Sequence, residues 1–164
     1  MTEAEKMSQS LCVCNRIIES QEWKSAKDVL LYSALPDEIS LSVLQEDALA
    51  NGKTVWLPVV DGESMRIHQY VEGKTQVGGK FMIEEPIDET PQLKPEEYVR
   101  ISLAVIPGRV FSMDGDRLGR GKGYYDRFLA MYKGLTFGAA FDCQIYETVP
   151  TDEWDKKLDK VFVG

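Results

Sequence analysis

Five short runs dominated by apolar residues, each too brief for a helix, constrain this fold more than any other feature of the chain. They are Asp28 to Ser33, Thr54 to Pro58, Leu103 to Pro107, Leu135 to Phe141 and Lys160 to Val163. A strand with almost no polar alternation is buried on both faces, which is the condition of a parallel sheet covered by helices. Segments of helical period lie between these runs. Residues 8–20 set Leu11, Cys14, Ile17 and Ile18 on one face. After Ser40, a candidate cap, Leu41, Leu44, Ala48 and Leu49 face inward and Asn51-Gly52 closes the segment. Tyr125, Phe128, Leu129 and Tyr132 recur at i, i+3, i+4 and i+7. The alternation predicts an α/β fold: a three-layer α/β/α, Rossmann-like arrangement with a mostly parallel sheet, in a single domain spanning residues 1–164. Met65 to Val71 reads as a further, alternating strand before a turn at Gly73-Lys74, and the polar stretch from Glu84 to Glu97 as a long surface connection.

Composition removes several classes of function. The net charge of −8 argues against a general nucleic-acid binder. No apolar run approaches the roughly 20 residues of a membrane span, and Met1 to Lys6 is charged, so a cytoplasmic protein without a membrane partner is expected. Cys12-Val13-Cys14 has no second cysteine pair or histidine cluster to complete a metal knuckle. His68 is the only histidine, and nothing nearby suggests a Ser–His or Cys–His couple. These residues read as ordinary structural ones.

In open α/β sheets ligands sit beyond the carboxyl ends of the strands, which directs attention to the loop after Ile106. Glycines at 119, 121 and 123 leave the backbone N–H groups open to an oxyanion. Arg120 and Lys122 stand between them as donors of charge-assisted hydrogen bonds. The predicted helix that follows turns its free N–H groups and positive dipole end to the same spot. Asp126 is the one anion among Arg117, Arg120, Lys122 and Arg127. It either complements the helix dipole or holds Mg²⁺ against a phosphate. Gly52-Lys53-Thr54 and Gly73-Lys74-Thr75 only imitate the end of a P-loop, because Asp47 and His68 occupy the positions where that motif needs glycine.

The run Arg117-Leu118-Gly119-Arg120-Gly121-Lys122-Gly123-Tyr124-Tyr125-Asp126 resembles the signature of 5-formyltetrahydrofolate cyclo-ligases. Asp37-Glu38-Ile39, Phe81 to Pro86, Pro107-Gly108, Val149-Pro150, Asp155 and Asp159 extend the resemblance through almost all of the chain. It implies an enzyme that closes 5-formyltetrahydrofolate to 5,10-methenyltetrahydrofolate while ATP becomes ADP and phosphate. It further implies that Arg117 to Tyr125 form the ATP loop, with Arg120 and Lys122 neutralising the moving phosphoryl group. Asp126 and Asp155 would hold Mg²⁺. Glu38, Ser33, Phe81 and Tyr124 would meet the reduced folate. Each has a plain alternative: Glu38 a carboxylate at a helix start, Phe81 core, Asp155 a surface charge. A monomer is expected.

The sequence departs from that pattern in places. The basic helix with which the family usually begins is not found ahead of Met1, Ser112 stands where Asp is common, Trp154 where a polar residue is common, and Arg109 where an apolar one is. A catalytically weak relative that only binds ATP or folate is therefore a competing reading. An RNA binder stacking bases on Tyr124 and Tyr125 is a third, opposed by the acidic balance.

Overall fold

The computed structural model describes residues 1–78 and 82–164. Its frame is set by short strands, the central ones buried on both faces. These are β1 (Asp28–Leu30), β2 (Thr54–Asp61), β3 (Ser64–Gln69), β4 (Thr75–Gly78), β5 (Ile83–Pro86), β6 (Gln92–Leu93), β7 (Leu103–Ile106), β8 (Val110–Phe111), β9 (Arg117–Leu118), β10 (Leu135–Ala140) and β11 (Lys160–Val163). Among the described residues seven of them form one sheet, in the order β11-β10-β7-β1-β2-β3-β6. The first five in that order are parallel neighbours. β3 returns antiparallel along β2, and β6 pairs with β3 at the edge. Two small antiparallel pairs, β4 with β5 and β8 with β9, stand apart from the main sheet.

Alternate side chains of each central strand enter different cores, as the two-residue period of a strand requires. Val29, Leu31, Val55, Leu57, Leu103 and Val105 face one side, where α1 (Glu3–Glu19), the short α2 (Gln21–Ser25) and α3 (Ser42–Ala50) supply Val13, Cys14, Ile17, Trp23, Leu44 and Ala48. Leu30, Trp56, Ala104 and Ile106 face the other, against Phe128, Leu129 and Tyr132 at α4 (Tyr124–Met131) and Tyr98 and Ile101 around a 3-10 helix (Pro95–Arg100). Each fully buried aliphatic side chain of this kind contributes roughly 1.5–3 kcal/mol. The result is the expected three-layer α/β/α arrangement with a mostly parallel sheet. Among the described residues no helix is long and apolar enough to cross a membrane.

Local chemistry moves several boundaries. α1 starts at Glu3, well before the apolar periodicity begins, because Thr2 and Glu5 form a reciprocal capping box. Leu11 on α1 and Leu49 on α3 are exposed, the inward positions being Val13 and Ser10 in the first case and Leu44 and Ala48 in the second. Ser40 does not cap α3; Leu41 occupies the N-cap and no side chain caps the helix. Residues 84–97 are more than a surface connection. They contain the end of β5 and all of β6, and Glu85 and Leu93 are buried, with Glu85 Oε2 accepting the Val60 N–H at 3.0 Å. His68 is a buried strand residue, its Nδ1 3.0 Å from the Thr90 carbonyl. Cys14 is buried in the α1 core, and its thiol is pushed up to about 11 by burial, while Cys12 and Cys143 are exposed and unpaired.

Candidate active site

β1 is the topological switch point of the sheet. The chain runs from β1 outward to β2 on one side, and β7 later joins β1 on the other. Loops leaving the carboxyl ends of two such strands diverge and open a crevice. The loop after β1 brings Asp37 and Glu38 to that crevice, and the loop after β7 brings Arg120. They meet there: Arg120 Nε lies 3.4 Å from Glu38 Oε2, and Arg120 Nη2 donates to Asp37 Oδ1. The other Glu38 oxygen accepts the Leu35 N–H at 2.9 Å, which fixes the carboxylate in its own loop. Burial raises the Glu38 carboxyl above its ordinary value, against the lowering effects of the Leu35 N–H and Arg120. Tyr32 and Tyr125 stand close enough to Glu38 that its charge adds to the effect of burial, and both phenols are pushed well up.

The glycine-rich segment folds back on Arg117. The Arg117 side chain is only 7% exposed. Its Nε donates to the Pro107 carbonyl at 2.6 Å and its Nη1 to Asp126 Oδ1 at 3.0 Å. The guanidinium lies 5.7 Å from the centre of the Tyr125 ring. Arg117 thereby braces the start of the loop to the start of α4. Gly123, at φ +74°, forms the α4 N-cap without a side-chain partner, so the first helical N–H groups are left to a ligand or water. Tyr124 donates to the Gly62 carbonyl in the β2–β3 turn, and Arg127 donates to Glu63 O at 2.7 Å and Lys122 O at 3.1 Å. Lys122 itself is exposed, as is Leu118.

A cavity of about 490 Å³ opens beside this loop, and its lining includes Arg117, Leu118, Gly119, Asp126, Trp154 and Asp155. The two carboxylates expected to hold a metal therefore share one cavity with the first three residues of the expected ATP loop. Asp116, Thr151 and Asp152 also line it. Among the described residues no group of three His, Cys, Asp or Glu forms a metal cage. That donor set fits Mg²⁺, which keeps its waters and binds through one or two carboxylates plus phosphate oxygens. Asp126 remains 60% exposed beyond its bond to Arg117. Asp155 Oδ2 also accepts the Asp152 N–H at 2.8 Å, which holds it in a short turn.

Ser33 and Glu38 both follow β1, but Ser33 Oγ is committed to the Glu84 carbonyl at 2.8 Å, tying the β1 loop to β5. Phe81 lies outside the described residues. Asp159 is structural: its Oδ2 accepts the Thr136 N–H at 2.9 Å and lies 3.1 Å from the Thr136 hydroxyl. Ser112, in the position where the resemblance has Asp, is buried and accepts the Asp116 N–H at 3.1 Å. Trp154 is 76% exposed at the cavity rim. Asp37 and Arg127 are the residues whose parts sequence patterning does not disclose, since their partners lie 83 and 64 positions away.

Comparison with known proteins identifies the family. A family model described as the 5-formyltetrahydrofolate cyclo-ligase family matches residues 1–164. The mouse 5-formyltetrahydrofolate cyclo-ligase is 28% identical over 173 residues, covering 99% of this chain and 85% of the mouse protein. The Escherichia coli (strain K12) 5-formyltetrahydrofolate cyclo-ligase is 31% identical over 142 residues, covering 83% of this chain and 77% of its own. The solved structure of Aquifex aeolicus 5,10-methenyltetrahydrofolate synthetase superposes with a TM-score of 0.84 at 34% identity, covering 99% of this chain and 81% of that one.

Proposed function

The chain belongs to the 5-formyltetrahydrofolate cyclo-ligase family and is a ligase of folate one-carbon metabolism, and we propose that it couples ring closure of 5-formyltetrahydrofolate to ATP through the crevice between the β1 and β7 loops. The observation that carries this reading is the placement of Arg117 to Asp126 against Glu38 on one side and Asp155 on the other. A folate subsite and a nucleotide subsite thus adjoin across a single loop.

In the reaction the poorly electrophilic formamide is activated when its oxygen takes a phosphoryl group from ATP, after which the neighbouring folate nitrogen closes the ring and phosphate leaves. The residues required are those that position and neutralise charge, and no protein nucleophile enters. Glu38 is the acceptor for N–H groups of the reduced folate, held in place by Leu35 and Arg120. Tyr124, anchored to the Gly62 carbonyl, is assigned to the same ligand, and Ser33 keeps the β1 loop tied to β5. Lys122, with no ion-pair partner among the described residues, is available for phosphate oxygens, and Arg120 joins it from the crevice. The open N–H groups around Gly119, Gly121 and Gly123 and at the start of α4 complete the anion cradle. Asp126 and Asp155 would hold Mg²⁺, which supplies charge neutralisation between nucleotide oxygens and these carboxylates.

Release of ADP measured against added 5-formyltetrahydrofolate tests this reading. One ADP per folate consumed, with a requirement for Mg²⁺, supports it. ADP release indifferent to folate contradicts it.

A further inference from the structure

Arg120 faces a conflict between its expected task and its observed partners. The task is to neutralise a transferring phosphoryl group, yet its guanidinium rests between two carboxylates. Glu38 is 7% exposed at its side chain and fixed by Leu35; Asp37 is 62% exposed and, among the described residues, its carboxylate pairs with Arg120. Two anions on one cation leave a locally negative cluster, which repels an approaching polyphosphate. A folate that donates N–H groups to Glu38 competes with Arg120 Nε for the same oxygen. Neither contact holds Arg120 alone, because the Glu38 bond is long at 3.4 Å and the Asp37 pair is exposed, so losing either one releases the guanidinium. The guanidinium is then free to turn along its loop toward the phosphate side.

We propose that Asp37 is a positioning residue that parks Arg120 away from the nucleotide subsite until folate occupies Glu38, so that folate and nucleotide bind with positive coupling. This rests on the assignment of the two subsites given above. The coupling is reciprocal, because a bound nucleotide that draws Arg120 away equally unburdens Glu38 for folate. Removing Asp37 should unlatch Arg120 without folate, raising nucleotide affinity in the free enzyme and erasing most of the coupling.

The test is calorimetric titration of the full chain with a β,γ-imido ATP analogue and Mg²⁺, with and without saturating 5-formyltetrahydrofolate. Wild type should bind the analogue roughly tenfold tighter when folate is present. Asp37→Asn should bind it several-fold tighter than wild type in the absence of folate, and gain little when folate is added. Asp37→Glu should restore coupling, and melting temperatures should be nearly unchanged because Asp37 is exposed. Equal affinities with and without folate in wild type, or undiminished coupling in Asp37→Asn, would overturn the proposal while leaving the subsites intact. Failure of wild type to bind either ligand would overturn the subsite assignment as well.

Discussion

Arg117 Nη1 lies 3.0 Å from Asp126 Oδ1, and the guanidinium is buried while the carboxylate stays open to the cavity. One carboxylate oxygen is therefore used to brace the loop to α4, and the other is turned to whatever enters. The two roles separate in a variant that keeps shape and loses charge. Asp126→Asn should shift the magnesium titration of activity to higher concentration, and because it leaves a buried guanidinium with a weaker partner, it should also cost about 1–3 kcal/mol in urea unfolding. A magnesium titration that superimposes on wild type would reduce Asp126 to the brace alone.

Lys122 is exposed on the glycine-rich loop, and the proposed function assigns it and Arg120 to the transferring phosphoryl group. Losing one preorganised cation at a transferring phosphoryl group costs about 10²–10³ in turnover. Lys122→Ala and Arg120→Ala should each show a fall of that order in kcat under saturating substrates. An unchanged rate in both would remove them from the chemistry.

Glu38 supplies a pH signature. Its native carboxyl is raised above the ordinary 4.5, chiefly by burial, so the folded state binds this proton more tightly than the unfolded chain does. The stability linked to that proton is fully present below 4.5 and is lost as pH rises through the higher native value. Wild type should therefore lose stability relative to Glu38→Gln as pH is raised through that window, measured by urea unfolding at successive pH values. A stability difference that is flat or of opposite slope would contradict the assigned environment.

Gly115 holds the turn that leads from β8 into β9. Its φ is +101°, and a Cβ there would lie 2.3 Å from the Leu158 carbonyl oxygen. Backbone strain and the forced shift of a backbone neighbour together predict a cost of roughly 2–4 kcal/mol for Gly115→Ala. Urea denaturation checks it, and a loss below about 0.5 kcal/mol would show that this turn is not fixed against the 158 segment.

Trp154 offers a direct view of the cavity. Trp23 and Trp56 are each 1% exposed, whereas Trp154 is 76% exposed and lines the cavity with Asp126 and Asp155. Quenching of the emission by acrylamide should come mainly from Trp154 and should fall when Mg-ATP is bound. Quenching that is the same with and without nucleotide would place ATP elsewhere.

Much of this architecture is legible in the sequence because burial dictates it. The apolar runs at Val29, Val55, Leu103 and Phe137 have to be covered on both faces, and they became the parallel centre of the sheet. The glycine spacing, the cations and the α4 stripe likewise located the loop, since each is a local pattern with a local cause. What the sequence hides is long-range or polar. The capping box at Thr2 lengthens α1 without any apolar signal, and Glu85 is buried in a stretch whose composition reads as surface because Val60 supplies its partner. Arg117 reads as one of four equivalent cations, and only the fold shows it committed to Pro107 and Asp126. The same holds for Arg120, whose two carboxylate partners are more than 80 positions distant.

The most direct test is optical: formation of 5,10-methenyltetrahydrofolate by this chain from 5-formyltetrahydrofolate and Mg-ATP, followed by the absorbance of the product. Absorbance should grow in proportion to enzyme, cease when ATP is omitted, and drop by about 10²–10³ in Lys122→Ala. No growth above the enzyme-free rate, or growth equal with and without ATP, would contradict an ATP-driven ring closure at the Arg117 to Asp126 loop.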